Sequence, residues 1–240
     1  SLITDKLTQG VGNTAGLARL VHTTFLDASF LQAADGGGSL VDPGRIHYMG
    51  ISLGGIEGAT LMANIDDIDH AVLHVPGAVW STMLERSSNW TLFEGYMAYG
   101  MPDPADRQLM YSVSQLMWDP VDPITHTHGM AGRSLLWQQS LGDEQVPNMT
   151  LDALIRSLDV PLLAPAVEPV VGVEEADAPL GPDAAALMQF DPQKGRPTEE
   201  NRPAEVTGAH KYIRHTDEVH TQIEAFFAEV EAATDAPFRE

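Results

Sequence analysis

The chain has 240 residues, 43% of them hydrophobic, and this fits one α/β domain with an insertion. A formal net charge of −21, from 34 acidic against 13 basic residues, argues against nucleic acid or an anionic membrane as partner, because both attract clustered lysine and arginine. The absence of cysteine excludes disulfides, zinc-thiolate sites and thiol nucleophiles. No apolar run approaches the roughly 20 residues of a membrane span.

The first predicted element is an amphipathic helix over residues 17–34, which follows a polar, glycine-containing segment over residues 1–16. Its apolar side chains recur at helical spacing: Leu17, Leu20, Val21, Phe25, Phe30 and Leu31. This helix comes directly before the strand of the central motif, with no earlier strand in front of it. We therefore expect the numbering to start inside a longer precursor.

The central motif is Gly50-Ile51-Ser52-Leu53-Gly54, between a strand predicted over residues 45–49 and a helix predicted over residues 53–64. A serine at such a strand-to-helix corner has strained backbone angles, and glycine two residues before and after it removes Cβ atoms that would clash. The helix N-terminus then directs backbone N–H groups and a partial positive charge at the serine oxygen. The motif favours a nucleophilic Ser52 over a structural glycine-rich turn.

A buried parallel strand is predicted over residues 70–77, and a long helix-leaning segment rich in aromatic residues and methionine follows over residues 78–132. An insertion of this length between strands is typical of a cap or lid. The candidates for an apolar substrate pocket are Ile51, Trp80, Met83, Phe93 and Met97. The alternative is that the aromatic side chains form the core of the cap itself. Residues 1–77 and 133–240 are predicted to form the α/β core.

The sheet is predicted to resume at residues 134–141, followed by a helix over residues 149–158 and a proline-rich, acidic surface excursion over residues 160–183. Residues 184–190 are predicted as the last strand. A polar loop over residues 192–207 and a C-terminal helix over about residues 218–233 complete the chain.

A serine nucleophile needs a base within hydrogen-bond reach and an acid that orients the base. In an open α/β sheet these groups follow the carboxyl ends of strands. Asp143, after the strand at 134–141, is favoured over its neighbour Glu144, although both could be solvated loop acids. His210 follows the last strand and is the predicted base.

The remaining histidines suggest no metal centre. A Thr-His-Thr-His segment places His126 and His128 two residues apart, but no third ligand is suggested nearby, so an ordinary loop is favoured. No metal and no cofactor are predicted.

With Ser52, Asp143 and His210 in this order, the chain resembles the α/β-hydrolase superfamily, on its esterase and lipase side. More narrowly, it is similar to bacterial hydrolases with an Asp-Pro-x-Arg-Ile-x-x-x-Gly-Ile-Ser-x-Gly-Gly elbow, here residues 42–55, and a cap with Asp-Arg-Gln-Leu, here residues 106–109. The resemblance implies an α/β-hydrolase-like fold, a mostly parallel sheet flanked by helices with a helical cap.

The resemblance also implies that Ser52 is the nucleophile, His210 the general acid and base, and Asp143 the orienting acid. The implied activity is hydrolysis of small carboxylic esters through an acyl-enzyme, with short to medium acyl chains favoured. A secreted or cell-envelope location in a bacterium is favoured over the cytoplasm. A serine peptidase or thioesterase on the same fold, or a hydrolase-like binding or structural module without turnover, stays open.

One departure concerns the oxyanion hole. The residue after the serine supplies one donor, here the backbone N–H of Leu53, but the loop that carries the second donor in such enzymes would lie upstream of the first predicted helix. Three alternatives stay open: another chain supplies this donor, another group replaces it, or the chain is only weakly active. The exposed edge of the nucleophile strand is expected to pair with a second copy, which gives a homodimer or assembly through the N-terminal region.

Overall fold

The computed structural model describes residues 2–177, 184–198 and 200–234. Within these ranges, six strands form one parallel sheet in the order β1-β2-β3-β6-β4-β5. The strands are β1 His47–Ile51, β2 His70–His74, β3 Ser134–Ser140, β4 Leu162–Leu163, β5 Glu175–Ala176 and β6 Ala186–Phe190. The helices are α1 Leu2–Val21, α2 Leu53–Asn64, α3 Trp80–Arg86, α4 Thr91–Gly100, α5 Pro104–Trp118, α6 Thr127–Met130, α7 Asn148–Leu158, α8 Ala209–Tyr212 and α9 Asp217–Thr234. This helix-flanked parallel sheet confirms the predicted α/β-hydrolase-like fold class.

Helices cover both faces of the sheet, so strands β2 and β3 are buried, including the polar side chains of β3. Adjacent residues of a strand point to opposite faces. Leu73 of β2 and Trp137 of β3 join the main core cluster together with Leu154 of α7. Gln138, the next residue of β3, instead donates a hydrogen bond to Gln222 of α9. Burial from both sides explains the continuous apolar run at residues 70–77 from which β2 was predicted.

The register of the sheet brings the carboxyl ends of β1, β2 and β3 to the same side of the sheet. Ile51 at the end of β1 lies beside His74 at the end of β2, and His74 lies beside Gln138 near the end of β3. All three strands run parallel, so the loops that follow them leave from the same edge. The candidate functional residues lie at this edge.

The predicted first helix is wrong in its position. Helix α1 begins at Leu2 and ends at Val21, and two short 3₁₀ turns follow it over Thr24–Asp27 and Ser29–Leu31. Its packing surface consists of small residues: Ala18 is buried, whereas Leu17 and Leu20 are 52% and 43% exposed. Large apolar side chains therefore indicated the wrong face, and the glycines of residues 1–16 were misread as an irregular segment.

Space does not explain the three glycines of α1. A Cβ atom at Gly10 would lie 3.3 Å from the carboxylate oxygens of Glu57 on α2, which are the movable end of a side chain, and a Cβ atom at Gly12 or Gly16 would meet nothing within 4 Å. The helix forms in spite of the low intrinsic helix propensity of glycine.

The excursion predicted over residues 160–183 is also wrong in part, because it contains two strands. β4 and β5 pair in parallel with each other, and β4 pairs with β6, so β6 lies inside the sheet. Each of these strands has only two residues, which is too short to show a period of two. Residues 178–183 of the excursion lie outside the described residues.

The segment between β2 and β3 is helical, as predicted, and consists of α3 to α6 with intervening 3₁₀ turns. Several of its aromatic side chains pack on one another. Trp80 stacks on Trp118 with ring centroids 5.1 Å apart, and Trp90 stacks on Phe93 at 4.5 Å. The contact between Trp80 and the buried Trp118 favours the alternative that such residues form the segment's own core, whereas Phe93 is 51% exposed and its stack lies at the surface. The division into a cap over residues 78–132 and a core stays a prediction.

Within the residues that the structure describes, no helix combines the length and the apolar character that crossing a membrane requires.

Candidate active site

Ser52 occupies the sharp corner between β1 and α2. Its backbone has φ 57° and ψ −119°, a left-handed conformation that non-glycine residues rarely adopt. The backbone N–H of Ser52 donates to the carbonyl of His74 on the neighbouring strand at 2.9 Å, which fixes the corner to the sheet. Strain of this kind persists only where the surrounding structure holds it, and it is common at functional sites.

Of the two motif glycines, only Gly50 lies where a Cβ atom would clash. A Cβ atom at Gly50 would lie 2.1 Å from the carbonyl oxygen of Gly54, so no side chain fits there. At Gly54 the nearest atom to a Cβ would be the hydroxyl of Tyr48 at 3.8 Å, an ordinary contact. The expectation that both glycines relieve a clash is therefore wrong for Gly54.

His210 is the second residue of the short helix α8. This helix begins directly after Gly208, whose φ of 85° lets the chain turn into it. The imidazole is buried, with 2% of the residue exposed. Its Nε2 lies 2.8 Å from Oγ of Ser52, and its Nδ1 lies 2.6 Å from Oδ2 of Asp143. The structure thus brings the three predicted residues into one hydrogen-bonded row, with the imidazole between hydroxyl and carboxylate.

Asp143 is buried in the loop after β3, and each of its oxygens has partners. Oδ2 faces His210, while Oδ1 accepts the backbone N–H groups of Gln145 at 2.9 Å and Val146 at 2.8 Å. Burial raises the pKa of the Asp143 carboxyl, and the hydrogen bonds from His210 and the two backbone groups oppose that rise. The carboxylate is in place to fix the tautomer of the imidazole.

Glu144 does not contact the imidazole but holds the segment that carries it. Its carboxylate is fully buried and accepts the Thr207 hydroxyl at 3.0 Å and the backbone N–H groups of Gly208 at 3.3 Å and His210 at 3.1 Å. Sequence reasoning treated Glu144 only as a competitor of Asp143 or as a solvated acid. The second of these interpretations is wrong for both acids, because both are buried.

Leu53 is the first residue of α2 and follows Ser52 directly. Backbone N–H groups in the first turn of a helix have no intrahelical acceptor, and the helix dipole adds a partial positive charge at this end. The carbonyl of Ser52 accepts the N–H groups of Gly55 and Ile56, which closes the first turn around the serine. The Leu53 N–H is thus available for a developing negative charge, although its role as an oxyanion donor stays a prediction.

The five pocket candidates do not form one group in the structure. Met83 is buried and packs with Ile56 and Val146, and Trp80 packs against this cluster. Ile56 belongs to the helix after Ser52 and Val146 to the loop of Asp143, so these two candidates lie beside the hydrogen-bonded row.

The other three candidates have different surroundings. Phe93 is exposed and stacks on Trp90, Met97 is half-buried on α4, and Ile51 is partly exposed at the end of β1. A role of any of the five in substrate binding stays a prediction.

His74 is a buried polar residue that sequence reasoning set aside as part of a strand. Only 1% of it is exposed, its Nδ1 lies 2.8 Å from Oε1 of Gln138, and Gln138 in turn donates to Gln222 of α9. Burial lowers the pKa of His74 to about 4, so the ring is neutral near pH 7 and its Nδ1–H donates to Gln138. His70 and His74 are the first and last residues of β2, and a spacing of four along a strand directs both side chains to the same face of the sheet.

The His126 and His128 segment lies in the helical insertion. Nδ1 of His126 lies 3.2 Å from the side-chain amide of Asn64, and its Nε2 lies 3.2 Å from the carbonyl of Pro120. Across the described ranges, no group of three or more histidine, aspartate or glutamate side chains is placed to hold a metal ion.

Comparison with known proteins gives structural matches but no sequence match. A scan against protein-family models finds no model that matches the chain. A search of curated proteins likewise finds no match. Among solved structures, the chain is similar to puromycin hydrolase and to a mutant of puromycin hydrolase complexed with PGG, each with 13% sequence identity and a TM-score of 0.48.

These two matches cover 92% of this chain but only 25% of the matched chains. The chain therefore spans about a quarter of the length of the structures that it matches. At this identity and TM-score the likeness carries no argument about activity, and the fold assignment rests on the sheet and helices described above.

Proposed function

We propose that this chain is a serine hydrolase that cleaves carboxylic esters with short to medium acyl groups through an acyl-enzyme. The observation that carries the proposal is the row in which Nε2 of His210 lies 2.8 Å from Oγ of Ser52 and Nδ1 lies 2.6 Å from Oδ2 of Asp143. A serine hydroxyl is a poor nucleophile until such a base takes its proton. The strained corner at Ser52 presents that hydroxyl to the imidazole.

The proposed reaction consists of acylation of Ser52 followed by hydrolysis of the acyl-serine. Oγ of Ser52 attacks the ester carbonyl carbon while His210 takes the hydroxyl proton, and the Leu53 N–H stabilises the oxyanion that forms. The tetrahedral intermediate collapses with loss of the alcohol, which receives the proton from His210. Water then attacks the acyl-serine by the same route, and the acid product leaves with Ser52 restored. Asp143 stabilises the imidazolium in both halves.

The test combines a covalent probe with turnover. A fluorophosphonate probe is expected to label the wild-type chain, and p-nitrophenyl acetate and butyrate are expected to be hydrolysed. The matched variant Ser52→Ala removes only the hydroxyl and is expected to lose both labelling and turnover, with a fall in kcat of about 10⁶-fold or to background. Labelling that survives in Ser52→Ala would contradict the proposal.

Further substrates separate ester hydrolysis from the related chemistries. p-Nitroanilides of short peptides and acyl thioesters are run alongside the esters, and kcat/KM is compared among the three classes. Higher values for the esters support an esterase. Preference for the anilides or the thioesters would replace it with a peptidase or a thioesterase. No labelling and no turnover of any class would indicate a binding module that retains the fold without the reaction.

A further inference from the structure

We propose that Glu144 is a positioning residue that sets the place of His210 by holding its backbone. This inference rests on the proposed function, because it assigns Glu144 a role in the reaction of Ser52. The two adjacent acids contact different parts of the same residue. Asp143 holds the ring of His210, and Glu144 holds the chain from which that ring extends.

The Glu144 carboxylate accepts hydrogen bonds from the segment that carries His210. One oxygen accepts the Thr207 hydroxyl at 3.0 Å and the His210 N–H at 3.1 Å, and the other accepts the Gly208 N–H at 3.3 Å. All three donors come from four consecutive residues, 207–210. A fully buried carboxylate that takes three hydrogen bonds from one short segment fixes that segment relative to its own loop.

The loop that carries Asp143 and Glu144 is itself fixed by hydrogen bonds. The side chain of Asn148 accepts the Gly142 N–H at 2.8 Å and donates to the Ser140 carbonyl at 2.8 Å, which ties the loop to the end of β3 and the start of α7. The Glu144 carbonyl also accepts the Ser88 N–H at 2.8 Å, just after α3. The acids are therefore fixed points, and the segment of His210 is fitted to them.

The charge of the Glu144 carboxylate is also part of this arrangement. Burial would raise the pKa of Glu144, but its hydrogen bonds from backbone N–H groups and from the Thr207 hydroxyl outweigh burial and keep the pKa below its ordinary value. Glu144 is thus ionised near neutral pH. A carboxylate accepts at both oxygens, whereas a glutamine in its place would turn an amide –NH₂ towards one set of N–H donors. Glu144→Gln therefore keeps the size of the side chain and breaks the alignment of the segment.

The kinetic test compares wild type, Glu144→Gln and the control Asp152→Asn. Asp152 is a partly buried acid on α7 that accepts a hydrogen bond from Gln139 and contacts none of the residues 207–210 in these hydrogen bonds. Because small displacements of a catalytic base cost up to about 10²-fold, we expect Glu144→Gln to lower kcat by about 10- to 100-fold with KM little changed. Asp152→Asn is expected to keep the wild-type kcat. An unchanged kcat in folded Glu144→Gln would overturn the inference.

Amide hydrogen exchange, resolved by NMR, gives a readout that does not need activity. In Glu144→Gln the amides of Gly208 and His210 are expected to exchange faster than in wild type, while those of Gln145 and Val146, which bind Asp143, keep their rates. Equal rates for Gly208 and His210 in both proteins would overturn the inference. Absence of Ser52-dependent turnover in wild type would overturn the proposed function and, with it, the kinetic role of Glu144, whereas the exchange rates decide separately whether Glu144 holds this segment.

Thr207→Val is the second variant, for use if Glu144→Gln does not fold. It removes the hydroxyl that donates to Glu144 and that accepts the Ala209 N–H at 3.3 Å, and it leaves the buried carboxylate with its two backbone partners. We expect a smaller fall in kcat, about threefold to tenfold, with faster exchange of the His210 amide. Wild-type values for both measurements would count against the inference.

Discussion

At the scale of single residues, the site contains a histidine held by two neighbouring acids, Asp143 at its ring and Glu144 at its backbone, and the environments of these acids shift their pKa values in opposite directions. Burial raises the pKa of Asp143, whereas hydrogen bonds that outweigh burial lower the pKa of Glu144. Both side chains are almost completely buried. Both carboxylates accept backbone N–H groups and a side-chain donor, but burial outweighs these hydrogen bonds at Asp143, whereas the hydrogen bonds outweigh burial at Glu144.

The first prediction at this scale concerns Asp143→Asn. An asparagine keeps the shape of the side chain but presents an amide to Nδ1 of His210, which favours the wrong tautomer of the ring. We expect kcat for p-nitrophenyl acetate to fall by about 10⁴-fold while the protein stays folded. Circular dichroism of wild type and variant, recorded before the assay, checks the fold. A fall of less than tenfold would show that Asp143 does not act through the histidine.

The second prediction uses the two acids as opposite pH probes. A carboxyl with a lowered folded-state pKa adds stability above its unfolded pKa, about 4.3 for glutamate, and loses it as the pH falls through the folded-state value. A carboxyl with a raised pKa adds stability below about 3.9, the unfolded value for aspartate, and loses it as the pH rises through the folded-state value. Glu144 is the first case and Asp143 the second.

Urea denaturation at a series of pH values measures both effects against wild type. The free energy by which Glu144→Gln is less stable than wild type is expected to shrink as the pH falls from about 7 to about 3. For Asp143→Asn, the stability relative to wild type is expected to improve as the pH rises over the same range. Parallel curves for both variants would contradict the assignment of the two pKa shifts.

At the scale of elements, the strand β1, the corner at Ser52 and the helix α2 form a unit with very little free space. The backbone of β1 at Gly50 nearly touches that of α2 at Gly54, and a Cβ at Gly58 would lie 2.3 Å from the ring of Tyr48. The Tyr48 hydroxyl also donates to the Gly54 carbonyl at 2.6 Å. The strained angles of Ser52 are therefore maintained by contacts on both sides of it.

A pair of glycine variants tests this arrangement. Gly50→Ala places a methyl group against the Gly54 carbonyl, so we expect a loss of stability of about 1–3 kcal/mol or more, together with loss of fluorophosphonate labelling. Gly54→Ala has room for its methyl group in a helix and is expected to be neutral or to add up to about 1 kcal/mol. Thermal unfolding of the two variants gives the comparison, and equal effects would show that the spacing does not control the corner.

At the scale of the whole molecule, β1 is the outermost strand on one side of the sheet that the described residues form. Met49, Ile51 and Leu53, in and just after this strand, are exposed apolar residues. An edge strand with apolar neighbours is a template for pairing with another chain. We propose, as the sequence also predicts, that two copies associate through this region.

Light scattering over a range of concentrations tests the assembly. We expect a mass of at least twice 25.9 kDa at high concentration. Met49→Lys, which places a charge on the edge strand, is expected to shift the equilibrium to the monomer because charged edge residues oppose strand pairing. A strict monomer in wild type at every concentration would contradict the proposal.

The parts of the fold that the sequence predicted are those with a local signal. The helix at 53–64 has the bounds of α2, and the strands at 70–77, 134–141 and 184–190 overlap β2, β3 and β6. The clearest signal is the continuous apolar run at 70–77, which is typical of a strand buried on both faces. Helix α1 and the strands β4 and β5 were missed. α1 packs through small residues, and the two-residue strands are defined by their pairing in the sheet, β4 with β6 and β5 with β4.

By itself, the sequence determined which side chains were candidates for the chemistry: Ser52 from its glycine-flanked corner, and Asp143 and His210 from their places after strands. Only the tertiary structure decided which acid meets the imidazole, because Asp143 and Glu144 are adjacent and a sequence does not specify which way each side chain points. The tertiary structure also turned the second acid into a partner of the backbone of His210, since that contact joins segments more than 60 residues apart. Contacts of such long range leave no periodic trace in the chain, and only the packed sheet brings their two ends together.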